Sequence, residues 1–128
     1  MTNLNGHEAS NTISIEGVPP KDVQRVRKGI FRTLAPHSSE TMRQMTTSTE
    51  EAIFGLSVSQ LAAHVRPYSA DWKLVLEDMQ QRGEVEYHNK VVNRRTKHTY
   101  TLSAAALEAF QQNPDATISE GLKEVVAA

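Results

Sequence analysis

The stretch from Leu56 to Ser103, LSVSQLAAHVRPYSADWKLVLEDMQQRGEVEYHNKVVNRRTKHTYTLS, constrains the fold more than any other part of the chain. Val58, Leu61, Ala62 and Val65 recur at helical spacing, as do Trp72, Val75, Leu76 and Met79, with Arg66-Pro67-Tyr68 as a turn between them. Ser57 and Gln60 have the spacing of a capping box, so the first helix is short, about 58 to 65. Ser69 is placed to cap the second helix, which runs to about Arg82, and Asp71 in its first turn suits the helix dipole. Gly83 stands where a left-handed C-terminal cap is expected. Glu84 to Lys90 and His98 to Leu102 then alternate as strands do. A tight turn at Asn93-Arg94 pairs Val85 with Leu102 and Tyr87 with Tyr100 on one face of a hairpin.

The flanks are read the same way. Residues 1–18 are polar and mixed and are expected to be flexible, with Ile13 and Ile15 alternating as in a short strand. Pro19 and Pro20 open a helix over about 20–34, because proline costs little in a first turn whose N–H groups lack partners anyway. Val23, Val26, Ile30, Phe31 and Leu34 form its apolar face, and Pro36 ends it. Ser48 and Glu51 have capping-box spacing, so a short helix or ordered loop is expected within 37–55. After the hairpin, Ser103 caps a helix through Leu107 and Phe110 that stops near Asn113-Pro114. Thr117 and Glu120 suggest a last helix from Thr117 to Val126, weakened by Gly121.

Charge is unevenly placed. The 128 residues carry a formal net charge of −1. Lys21, Arg25, Arg27, Lys28 and Arg32 nevertheless stand against Asp22 alone, and Lys90, Arg94, Arg95 and Lys97 lie in a run, His88 to His98, that holds no acid. After Ser103 the chain turns acidic. Two basic segments and an acidic tail therefore hide beneath a balanced total.

Met79, Gly83 and Val85, then Arg94-Arg95, then Tyr100 and Leu102 stand as an LxxxGxV…RR…YxL run. With the helix, turn, helix and hairpin around it, the segment resembles the winged helix-turn-helix superfamily, the fold of many bacterial transcription regulators. The match covers Leu56 to Leu102 and, more loosely, the helix at 20–34. The resemblance implies an α+β fold: a winged helix-turn-helix with an extra N-terminal helix and C-terminal helices, divided as residues 1–18, a winged-helix domain at 19–112 and an extension at 113–128. It implies that the second helix of the motif enters the major groove of double-stranded DNA while the wing meets the backbone or minor groove. By position, Ser69, Lys73 and Gln60 lie at the groove, and Lys90, Arg94, Arg95 and Lys97 hold phosphates. Asp71, Glu77 and Asp78 on the groove-facing helix would oppose a polyanion. They raise a second reading, an interaction module whose acidic helix face binds a basic protein.

Bland readings stand beside these. A charged hairpin tip also keeps a strand pair soluble, and the basic stripe Lys21, Arg25, Lys28 and Arg32 reads first as a solvated helix face. Trp72, Tyr87 and Tyr100 sit at apolar positions and read as core, which leaves base-stacking without support. Leu107, Phe110, Ile118, Leu122, Val125 and Val126 form a stripe that either seats a homodimer or covers the core. No cysteine is present, the five histidines are scattered, and His88 and His98 fall on opposite faces of the hairpin, so neither an enzyme nor a metal or cofactor site is expected. The chain lacks the roughly 18 consecutive apolar residues of a membrane span and an N-terminal secretory pattern. The expectation is a cytoplasmic regulator.

Overall fold

The computed structural model describes residues 13–39, 55–92 and 94–122. Among them, five α-helices and one antiparallel strand pair make an α+β fold. Helix α1 is Pro20–Leu34, α2 is Val58–Val65 and α3 is Trp72–Gln81; β1 is Val85–Val92 and β2 is Arg95–Leu102; α4 is Ala104–Gln112 and α5 is Pro114–Glu120. The expected helix within 37–55 lies largely outside the described residues, as does Asn93 of the hairpin turn. No described helix is long and apolar enough to cross a membrane.

Local chemistry sets most boundaries where spacing put them. Pro20 occupies the first turn of α1, whose Val23, Val26, Ile30, Phe31 and Leu34 are all buried. The capping box of α2 is complete: the Ser57 hydroxyl accepts from the Gln60 N–H, and the Gln60 side chain accepts from the Ser57 N–H. Gly83 takes the left-handed φ of +78° beyond α3. The register pairs Val85 with Leu102 and Tyr87 with Tyr100, and it runs out to Val92 opposite Arg95. The strands are thus longer than their alternation suggested. His88 bonds to Thr101 on one face of the hairpin, and His98 meets Tyr87 on the other.

Two helix starts differ from expectation. Helix α3 begins at Trp72, and Ser69 instead accepts from the Asp71 N–H at 3.0 Å in the turn before it. Helix α5 begins at Pro114 with Asn113 as its cap, accepting from the Ala116 N–H, and stops before Gly121 at φ +82°. Thr117 is therefore an interior residue, and its hydroxyl bonds back to the Asn113 and Ala109 carbonyls. A hydroxyl one turn inside a helix finds those carbonyls before it finds an N–H to cap.

Long-range contacts close the fold. Leu56 makes a single antiparallel bridge to Tyr100, donating to it at 3.1 Å and accepting from it at 2.8 Å, so β2 lies between β1 and this bridge. Gly55 permits that approach: its φ is +94°, and a Cβ there would lie 2.4 Å from the Tyr100 carbonyl oxygen. Ser38 is buried after α1, where its hydroxyl donates to the Leu34 carbonyl and accepts the Leu102 N–H at 2.8 Å. Ile13 and Val18 are also buried, and the Ile13 N–H donates to the Ser119 carbonyl, so the end of the segment expected to be flexible is packed. Phe110 stacks on Phe31 with ring centroids 5.1 Å apart, and Ile118 is buried. The described part of the C-terminal apolar stripe thus packs on the core, with Leu107, Phe110 and Leu122 partly buried, and Val125 and Val126 lie outside the described residues.

At the centre lies Arg27, fully buried. Its guanidinium makes two bonds to the buried Glu84 carboxylate, at 2.7 and 2.9 Å, and donates to the Ile118 and Thr117 carbonyls at 2.6 and 2.9 Å. Glu84 also accepts the Leu122 N–H at 3.2 Å. Arg27, counted above in a basic run, is therefore removed from the surface. Breaking a buried, fully bonded ion pair typically costs about 3–5 kcal/mol, because the remaining charge is stranded. Arg27→Ala or Glu84→Ala is expected to lose that much in denaturant unfolding. The double variant Arg27→Met with Glu84→Met is expected to lose less than the two single losses added together.

Candidate functional site

The hairpin projects beyond the helices that pack on its base. Val85 and Leu102 are buried, whereas β2 from Arg95 to His98 is exposed throughout. The turn residue Arg94 takes a left-handed φ of 67°. Arg94, Arg95 and Lys97 are all exposed, and Lys90 pairs in register with Lys97. The run expected to meet phosphates is thus gathered at one end of the molecule.

The helix expected to face the groove is mixed in charge. Ala70, Asp71, Lys73, Leu74 and Glu77 are exposed, and Ser69 is half-buried. The Lys73 ammonium lies 5.9 Å from the ring centre of Trp72, which is buried in the core. Asp78 is paired with Arg82 at 2.6 Å, so one of the three acids is offset within the chain. Arg82 was not singled out from the sequence, although its i,i+4 spacing from Asp78 was the available signal. Gln60 is exposed at the start of α2, with its side-chain oxygen engaged in the capping box.

Tyr87 departs from the core reading. It is 43% exposed, it is hydrogen-bonded to His98 Nδ1, and the two rings lie nearly parallel, at 11° with centroids 5.6 Å apart. Tyr100 stands beside it at 5.4 Å, tilted by 54°. Tyr100 spends its backbone N–H and C=O on Leu56, so the Tyr87–Tyr100 pair is of the non-hydrogen-bonded kind, whose side chains lie closest together. A groove of 670 Å³ runs between these rings and the start of α2, bordered by Ser57, Gln60 and Lys97. The signal for an exposed face was the next register pair, Asn89 with His98, which is polar on the side that buries Val85 and Leu102.

The stripe Lys21, Arg25, Lys28 and Arg32 is exposed. Its last member, Arg32, borders a second cleft of 510 Å³ with His37, Gln60 and His64. Among the described residues no three His, Cys, Asp or Glu side chains come together as a metal site. No family model matches the chain, and no curated protein or solved structure is found to be similar to it.

Burial pushes the Tyr100 phenol above its ordinary value of 10.0, and nearby Tyr87 and Glu77 add to the shift. A raised pKa in the folded state means that the folded protein holds the proton longer than the unfolded chain. The associated stability is complete below about pH 10 and is lost as pH rises through the folded value. Thermal melts across alkaline pH are expected to show this loss in the native protein and a smaller one in Tyr100→Phe.

Proposed function

We propose that this protein is a winged-helix DNA-binding protein, a small transcriptional regulator anchored on double-stranded DNA by its basic wing. The observation that carries this reading is the hairpin tip, where Arg94, Arg95 and Lys97 are exposed in a run without acids. The order of elements supports it: α1, a single bridging residue at Leu56, α2, a tight turn, α3 and a two-stranded wing. In this geometry α3 approaches the major groove end-on, through Ser69 and Lys73, and Gln60 lies close by on α2. Glu77 sits further along α3, away from the approaching end, and Asp78 is held by Arg82. Affinity comes mainly from wing cations that displace counterions from phosphates, so binding weakens steeply with salt.

The test is fluorescence anisotropy with a labelled random-sequence duplex at about 50 and 200 mM salt. The native protein is expected to bind, more weakly at the higher salt. Arg94→Ala with Arg95→Ala is expected to remove most of the binding and to lower the salt slope by about 2, close to one unit per phosphate contact. Unchanged binding in that variant would overturn the wing model.

One observation favours a second reading, a protein-interaction module. Leu74 is 42% exposed on α3 and lies at helical spacing from Asp71, Glu77 and Asp78, an apolar centre with an acidic rim. On this reading the face binds a basic protein surface, duplex affinity is absent at moderate salt, and Glu77→Lys with Asp78→Lys abolishes partner binding in a pull-down while circular dichroism shows the variant still folded.

A further inference from the structure

The wing has a second surface that duplex DNA does not explain. Tyr87, Tyr100 and His98 share one pleat face, and Tyr87 and His98 lie near-parallel and exposed. Val91, further out on the same face, is 68% exposed. Exposed stacked rings and a valine gathered on one pleat face suit a ligand with flat apolar surfaces of its own. In a duplex the faces of the bases are covered by their neighbours. In a single strand they are free, and they stack on aromatic side chains whatever their sequence.

Charge gives the surface a direction. The groove beside the rings is bordered by Lys97 and by Gln60. Gln60 also borders the cleft that holds Arg32, His37 and His64, so the two depressions meet at Gln60 and lead from the wing past the start of α2 toward the end of α1. Glu77 lies on the α3 side of Tyr100, near enough to raise its pKa. A polyanion is therefore favoured along α2 and α1 and disfavoured along α3. Rings beside Lys97 at one end and Arg32 at the other match unpaired bases joined by phosphates.

We propose that this path binds single-stranded DNA, with bases stacked on Tyr87 and His98 and the backbone running past Gln60 toward His64 and Arg32. The proposal rests on the DNA-binding reading above and assigns to it a second, strand-selective surface. DNA is the polymer chosen because Lys97 borders this groove and also belongs to the wing proposed to hold duplex DNA.

The probe is labelled oligo-dT of about 16 nucleotides, the upper end of single-strand site sizes, run beside the random duplex and an oligo-rU of equal length. The native protein is expected to bind oligo-dT, and Tyr87→Ala to weaken that binding about tenfold, a typical loss for one stacked base. Tyr87→Phe keeps the ring and is expected to retain near-native affinity, and Arg32→Ala is expected to weaken oligo-dT while leaving the duplex unchanged. Duplex binding is expected to change less than about twofold in Tyr87→Ala, since that ring meets no base face in a duplex. Circular dichroism checks that each variant is folded. Binding to duplex but not to oligo-dT, or equal oligo-dT binding by Tyr87→Ala and the native protein, would overturn this proposal and leave the wing model standing. Preference for oligo-rU would overturn the assignment to DNA. Failure to bind either duplex or single strand would overturn both readings together.

Discussion

The Arg27–Glu84 ion pair holds together parts of the chain that share no local structure. Arg27 lies in the middle of α1, Glu84 lies at the foot of the hairpin, and the carbonyls of Thr117 and Ile118 come from α5. Burying a guanidinium and a carboxylate is unfavourable unless nearly every donor and acceptor is met. The fork geometry of arginine allows two bonds to one carboxylate while other N–H groups reach two carbonyls. The pair therefore couples these segments: α1, the hairpin base and α5 must all be in place for these bonds to be made. Phe31 completes the setting, with the guanidinium carbon 5.5 Å from its ring centre and Phe110 stacked on it.

That anchor sets where the hairpin leaves the body, and so where its charges go. Glu84 immediately precedes β1, and Ser103, immediately after β2, donates its N–H to the Glu84 carbonyl and closes the base of the strand pair. With the base clamped, the register carries Arg94, Arg95 and Lys97 outward together, beyond the helices. The same clamp presents the face of Tyr87, His98 and Tyr100 to the groove beside α2. A chain of formal charge −1 can thus carry an acid-free basic cluster at the hairpin tip while its acids lie elsewhere.

Much of this was legible in residue spacing. Helices α1 and α2, the capping box at Ser57 and Gln60, the glycine stop at Gly83 and the strand register all depend on neighbours a few residues away, where sterics and backbone bonding dominate. The Arg27 position also carried a signal, since it lies four residues after Val23 and three before Ile30, on the buried face of α1. Its positive charge concealed this, because an arginine in a basic run reads as solvated until a partner is found. The partner lies 57 residues away. The candidate site divides similarly: the wing cations were visible as an acid-free run, whereas the exposed rings were read as core.

By itself the sequence determined helices α1 and α2, which strands pair and in what register, and where basic residues cluster, because these follow from periodicity, capping and turn chemistry. Only the tertiary structure decided which members of those patterns are covered. Periodicity assigns a side chain to a face, but the cover on that face arrives from distant segments. Hence Arg27 is buried and Arg32 is not, Tyr87 is exposed while Trp72 is sealed, and Phe110 and Ile118 pack on the core. The hairpin outruns the helices that cover its base, and that mismatch of lengths is what leaves its rings and cations in solvent.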